Sequence, residues 1–429
     1  MPENFHIDMP EAVRNIIHTI EEHGFKAYAV GGCIRDSILG RNPDDWDITT
    51  SAVPSQIKTF FKRTVDTGIA HGTVTIMIDK TGYEVTTYRI DGEYEDGRHP
   101  KSVEFSDRLV DDLCRRDFTI NAMAYNDTDG FVDEFKGLDD LDTKIIRCVG
   151  EPELRFTEDA LRMMRAIRFS AQLGFTIDEA TWNAIKKLSP SISKISMERV
   201  HVELGKTLMS AHPDYVAQYS EAGLFAPILP VIDNALKSRY KRKILATLQH
   251  TPDNIYLRYA ALFITSTPDE AAKTLRALKL DNKTVNTVSK LVELSKMDIE
   301  ETEPAVRTAL NKYGRDFLTL WHELMMAVIQ ASEDITGISN PAKVKHLLTL
   351  KRLGTDILAR GDCFTIKDLD ISGNDLIEYG LQGHEIGETL KSLLDIVIEN
   401  PKLNDKATLI AMIEPVSYTH LRAHETGAY

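Results

Sequence analysis

The sequence is short of cysteine, has no long apolar run, and carries more acidic than basic charge. Its four cysteines, Cys33, Cys114, Cys148 and Cys363, are scattered and form no Cys-x-x-Cys pair. That pattern supports neither a disulfide framework nor a zinc site and fits a reducing, cytoplasmic setting. No stretch reaches the roughly 18 apolar residues of a membrane-spanning helix. Met1 to Pro10 includes Glu3 and Asp8 and has no apolar core of a secretory signal. His322 in HELMM lacks the second histidine of a zinc-protease motif, and no His-Asp dipeptide occurs, so a fused HD-type phosphohydrolase domain is not indicated. The net charge of −14 argues against indiscriminate coating of nucleic acid. An RNA partner stays open, because attraction to phosphate is local and screened beyond about 10 Å.

What is present divides the chain. With 429 residues, two to four domains are expected. Residues 11–23 have helical spacing up to Gly24; KAYAVGG reads as a strand ending in two glycines; CIRDSILG reads as a helix capped by Gly40. DDWDITT, TVTIMID and YEVTTYRI read as strands, the last two separated by a turn at Lys80 to Gly82. Beyond Gly150 the spacing is helical almost throughout, with breaks expected at Pro227, Pro230, Pro252, Pro304 and Pro341. The expected class is α+β, a mixed sheet in the first third and helices after it.

Asp45 and Asp47 stand two apart in DDWDITT. On a strand, period two turns both carboxylates to one face, where they can hold a pair of Mg²⁺ ions if a third acid comes from a neighbouring strand. Glu84 in YEVTTYR is the candidate. A DxD pair by itself more often marks a surface turn, but Trp46 and Ile48 supply the buried alternation of a sheet strand. Just upstream, Gly31 and Gly32 join a strand to a helix, so backbone N–H groups can approach a triphosphate. Arg35, one turn in, can fork onto phosphate oxygens.

GGCIRDSILGRNPDDWDITT resembles the first motif of the class II CCA-adding enzymes and bacterial poly(A) polymerases, within the polymerase-β-like nucleotidyltransferases. The resemblance continues through GIAHGTVTI, YEVTTYR, RRDFTINAMAY, FTEDALRMMRAIRF and ISMERVHVELGKTL. It implies a nucleotidyltransferase head over residues 1–150, a base-recognising helical neck over 151–212, and tRNA-binding helical body and tail over 213–325 and 326–414. In RRDFTINA it implies Arg116 on phosphate, Asp117 on the ribose 2′-OH and Asn121 in support; four-residue spacing would set Asp117 and Asn121 on one helical face. In TEDALRMMR it implies that Asp159 and Arg162 read the base, with Glu158 and Arg165 beside them.

That pair has a physical logic of its own. At i,i+3 on a helix the two side chains are neighbours; an Asp acceptor beside an Arg donor matches the amine and ring nitrogen of cytosine or adenine. Uracil and guanine reverse both contacts, at a cost of about 1–3 kcal/mol for each unpaired group. Without the resemblance, a surface salt bridge would be the plainer reading.

The polar segment Asp91–Phe105 resembles the loop that full CCA-adding enzymes keep and CC-only enzymes lack. TGIAHGTVTI stands where poly(A) polymerases carry an Arg-rich segment, which favours CCA addition. Phosphate contact in the helical part would fall to Lys237, Arg239, Lys241 and Arg242, and to Lys279 and Lys283. The expected activity is template-free addition of C, C and A to the tRNA 3′ end from CTP and ATP with two Mg²⁺ ions. A poly(A) polymerase, a partial CC- or A-adding enzyme and an inactive RNA-binding module are the alternatives. A homodimer stays open. Residues 415–429, including SYTHLRAHET, fit no helical period and read as a non-native tail.

Overall fold

The computed structural model describes residues 6–92 and 103–413. Most of the Asp91–Phe105 loop and the whole 415–429 segment lie outside the described residues. The chain forms two compact units, Met1–Arg239 with Ala277–Leu280, and Tyr240–Arg276 with Asp281–Tyr429.

The first unit opens with helix α1 (Glu11–Glu22), whose Val13, Ile16, Ile17 and Ile20 form one buried stripe. Strand β1 (Ala27–Val30), helix α2 (Gly32–Ile38), strand β2 (Ile48–Thr50) and helix α3 (Pro54–Phe60) follow. Strands β3 (Thr64–Gly68), β4 (Thr73–Ile78), β5 (Thr81–Thr87), β6 (Arg89–Asp91) and β7 (Val103–Phe105) lead to helix α4 (Leu109–Cys114). Strands β8 (Met123–Asn126) and β9 (Gly130–Asp133), helix α5 (Gly137–Asp142) and strand β10 (Ile145–Ile146) complete this α/β part.

Seven of these strands form one sheet in the order β3-β4-β5-β2-β1-β8-β9. It is mixed, as expected: β2 runs parallel to β5 and every other neighbouring pair is antiparallel. The β4–β5 hairpin turns on Asp79 and Lys80, one residue earlier than the sequence suggested. Both adopt positive φ, which matches the right-handed twist of the flanking strands.

Helices α6 (Pro152–Glu158), α7 (Leu161–Leu173), α8 (Glu179–Leu188), α9 (Met197–Leu208), α10 (Ala217–Glu221) and α11 (Pro230–Lys237) continue this unit. The all-helical expectation needs one correction: strand β11 (Thr176–Ile177) lies parallel to β10. The two residues follow the left-handed Gly174 that ends α7, so the chain is extended when it passes β10.

The second unit contains α12 (Lys241–His250), α13 (Ile255–Leu262), most of α14 (Pro268–Ala277), α15 (Asn282–Leu294), α16 (Glu303–Tyr313), α17 (Phe317–Thr336), α18 (Pro341–Arg360), α19 (Gly373–Glu378) and α20 (His384–Glu399). Breaks fall at Pro230, Pro304 and Pro341 as expected, each proline sitting in the first turn of the helix that follows, α11, α16 and α18. A missing N–H is harmless there. Gly354 lies mid-helix in α18 because a side chain would collide with Leu318 of α17. Among the described residues no helix is long and apolar enough to cross a membrane.

Candidate active site

The edge between β2 and the turn into α2 gathers the predicted acids. Asp45 and Asp47 lie just before β2, not within it. The Val30 N–H still donates to the Asp47 carbonyl at 2.9 Å, so the backbone is pinned to β1 while both side chains stay exposed and Trp46 is half-buried. Ile48 pairs with Val85 in parallel register; one residue back, Asp47 is level with Glu84, and opposed residues of neighbouring strands share a face.

The carboxylates feel one another. Loss of water raises the Asp47 pKa; Arg116 opposes the shift and Asp45 adds to it. Glu84 is raised by loss of water and then by the charges of Asp47 and Asp45. Asp47 is exposed over its residue surface, yet protein atoms crowd around the carboxylate itself. Among the described residues, no three His, Cys, Asp or Glu side chains stand close enough together to hold one metal ion. Asp45, Asp47 and Glu84 are therefore electrostatic neighbours, not a closed ligand cage.

Of the two glycines, Gly31 has a conformational reason to be glycine. Gly31 has φ +86°, and a Cβ there would come within 2.8 Å of Arg116 Nη1. Arg116 donates to Asp112 at 3.2 Å, and its Nε has no partner among the described residues. Arg35 is tied to its neighbours within the site. Its guanidinium forks onto its neighbour Asp36 at 3.0 and 2.8 Å and donates to Asn121 Oδ1 at 2.6 Å, buried over the Phe169 ring. In this conformation its fork is engaged by Asp36 and Asn121.

Asp117 and Asn121 do meet, Asn121 Nδ2 donating to Asp117 Oδ1 at 3.2 Å. They do not share a regular helix: α4 ends at Cys114 and only a 3-10 turn spans Thr119–Asn121. Asp117 also accepts from the Phe118 N–H at 2.9 Å and from Arg165 at 2.7 and 2.6 Å. Burial alone would raise its pKa, but Arg165 and Arg162 bring it down to about 2. Through these bonds Asp117 also fixes Arg165.

The expected i,i+3 helix pair is also corrected. Helix α6 stops at Glu158, and Asp159 is extended, with φ −145° and ψ 106°. Its Oδ1 instead accepts the Leu161 N–H at 3.0 Å at the start of α7, the local turn an aspartate forms readily. Arg162 is held by Glu158 at 2.6 Å and donates to the Arg115 carbonyl at 3.1 Å. Glu158 thus orients the arginine.

Two side chains escaped sequence reading. Asp112 is fully buried and accepts from Arg115 at 2.9 and 2.7 Å, from Arg116, and from Thr49 of β2 at 3.1 Å. Burial pushes its pKa up, but the two arginines hold it below the usual carboxylate value. The i+3 and i+4 spacing to Arg115 and Arg116 was its signal. Arg199 of α9 pairs with Asp159 at 2.7 Å; forty residues away, it gave no local signal.

The basic candidates fall in both units. Lys237, Arg239 and Lys279 belong to the first, Lys241, Arg242 and Lys283 to the second. Lys237 pairs with Asp233 at 2.9 Å, Arg242 and Lys279 are exposed, and Lys283 lies 6.0 Å from the Tyr256 ring centroid.

Residues 27–147 match the poly A polymerase head domain, 174–236 the probable RNA and SrmB-binding site of polymerase A, and 253–413 the putative tRNA nucleotidyltransferase domain 2. The CCA-adding enzyme of Pediococcus pentosaceus is 34% identical over 418 residues, 96% of this chain and 98% of that protein. The chain belongs to the CCA-adding enzymes. It is a tRNA nucleotidyltransferase. The CCA-adding enzyme of Limosilactobacillus fermentum is 37% identical over 407 residues, 93% of this chain and 95% of that protein. The crystal structure of the Bacillus stearothermophilus CCA-adding enzyme in complex with CTP superposes with a TM-score of 0.74 at 32% identity, covering 96% of this chain and 98% of that one.

Proposed function

We propose that this CCA-adding enzyme adds C, C and A in turn to the 3′ end of tRNA from CTP and ATP, without a nucleic-acid template. The observation that carries this reading is the contrast within one site between acids that lack a cation and acids already held by arginine. Asp45, Asp47 and Glu84 have no ion pair among the described residues; loss of water raises the pKa of Asp47 and Glu84, and neighbouring acids add to both shifts. Such a set fits a divalent cation supplied with the substrate. We assign Asp45 and Asp47 as the principal Mg²⁺ ligands and Glu84 on the neighbouring strand as the third acid of the site, which in this conformation does not converge with them on one ion. Mg²⁺ bound there supplies a more acidic 3′-hydroxyl on tRNA and neutralises charge on the triphosphate.

The chain's own groups supply the rest. Gly31 and Gly32 let the backbone approach the triphosphate, with Arg116 alongside. Asp159 accepts the exocyclic amine of cytosine or adenine while Arg162 donates to the ring nitrogen beside it, so protein side chains take the part of a template. We read residues 1–150 as the catalytic head, 151–212 as the neck that reads the base, and 213–325 and 326–414 as body and tail for tRNA. The basic residues Lys237, Arg239, Lys241, Arg242, Lys279 and Lys283 are then the phosphate contacts.

The test uses tRNA ending before CCA, tRNA ending in CC, and oligo(A), each with labelled CTP or ATP and Mg²⁺. Addition of C, C and A followed by a stop is the expected outcome. A long A tail, or addition only to the CC substrate, would replace it. Asp45→Ala and Asp47→Ala should each lower incorporation by about 10³-fold or more, the scale of several kcal/mol of charge stabilisation, with thermal unfolding unchanged. Retained turnover in either variant would reject the metal-ligand assignment.

A further inference from the structure

We infer that Arg199, outside the motif that carries the base readers, sets which nucleobases are accepted by locking the orientation of Asp159. The inference rests on the reading above that Asp159 and Arg162 contact the incoming base. Arg199 projects from α9 and grips Asp159 with two donors, Nη2 to Oδ2 at 2.7 Å and Nη1 to Oδ1 at 3.3 Å. The carboxylate is thereby joined to a planar guanidinium along two lines and cannot swing about its own axis without breaking both.

This grip matters because of where Asp159 sits. It lies in the extended joint between α6 and α7, where its backbone is tied to Arg155 and Arg162 while its side chain depends on its own partners. Its other side-chain anchor is the Leu161 N–H at 3.0 Å. Arg162 has different anchors, Glu158 at 2.6 Å and the Arg115 carbonyl at 3.1 Å. The two readers are therefore positioned from different directions: Arg162 by its own turn and the segment before Asp117, Asp159 by α9. Arg199 and Asp159 are both partly shielded from solvent, at 24% and 15% exposure.

Selection against uracil and guanine needs a carboxylate that cannot move. Each of those bases presents a carbonyl where cytosine or adenine presents an amine. The repulsion counts only if the Asp159 oxygen stays opposite it; a carboxylate free to rotate turns away and the wrong base loses its penalty. Loss of Arg199 should therefore reduce discrimination more than it reduces use of the correct nucleotide. Arg199 is a positioning residue for base choice and takes no part in the transfer itself.

The experiment measures kcat/KM for CTP, UTP, ATP and GTP on tRNA substrates with the full-length chain. Arg199→Ala should narrow the CTP-over-UTP and ATP-over-GTP ratios by roughly tenfold or more, the scale of one lost charge-assisted bond. Arg199→Lys, which keeps the charge but only one line of contact, should give intermediate ratios. Adding Arg199→Ala to Asp159→Ala should narrow the ratios no further than Asp159→Ala alone. If Asp159→Ala narrows the ratios while Arg199→Ala and Arg199→Lys slow all four nucleotides equally, Arg199 is scaffold only and the inference falls while the base-reading assignment stands. If Asp159→Ala leaves the ratios intact, the base-reading assignment falls and takes the inference with it.

Discussion

The acids of the first unit come in two kinds, and residue type does not distinguish them. Asp45, Asp47 and Glu84 are exposed and have no ion pair among the described residues, and loss of water pushes proton affinity upward in Asp47, against Arg116, and in Glu84, with nearby acids adding to both. Asp112 and Asp117 are buried, gripped by arginines, and held below the usual carboxylate value. The difference is one of supply. A buried acid must receive its counter-charge from the fold, because an uncompensated charge away from water is costly. An exposed acid can wait for a cation from solution. The paired set holds the frame, and the unpaired set is the one the proposed function assigns to metal binding.

Three measurements probe that contrast. Asp112→Ala should have the largest effect on stability, a loss of about 3 kcal/mol in denaturant unfolding. This is the lower end for breaking a buried pair, since Arg115 and Arg116 keep some solvent. A loss under about 1 kcal/mol would place Asp112 with ordinary surface acids.

Asp117 comes next. Its folded pKa of about 2 lies below the roughly 3.9 of an unfolded aspartate, so the folded chain binds its proton less readily. The stabilisation is fully present above about pH 4 and is lost as pH falls towards 2, on the order of 2 kcal/mol in all. Acid unfolding of Asp117→Asn should lack that component and start from a lower stability at pH 7. Identical acid profiles for the variant and the parent chain would remove Asp117 from the frame.

The smallest effect has the opposite sign. In chelating buffer at pH 7, Asp47→Asn should leave stability unchanged or raise it by less than about 1 kcal/mol, because it removes a charge that loses water on folding and is repelled by Asp45, at the loss of its attraction to Arg116. A clear loss of stability would mean that Asp47 belongs with the paired acids.

Much of the site could be read in advance, for local reasons. The Gly31–Gly32 turn, the Asp45–Asp47 spacing and the Arg-Arg-Asp run are each set within a few residues, and the sheet order then placed Glu84 level with Asp47. The errors came where a local period was extended through a break. Asp159 and Arg162 have helical spacing, but an aspartate that bonds the N–H two residues ahead ends one helix and begins another. Asp117 and Asn121 share a hydrogen bond without sharing a helix. Arg35 has the position of a phosphate ligand, yet its immediate neighbour Asp36 takes up the fork.

By itself the sequence determined the fold class, the family and the identity of the exposed acids, because composition, period and motif order are properties of the chain. It could not determine how the acids are partnered. Asp47 and Asp117 are the same side chain, and only tertiary packing gives Arg165 to one and leaves the other beside Asp45. Arg199 shows this most clearly: its contact with Asp159 spans forty residues of chain and exists because α9 packs against α7.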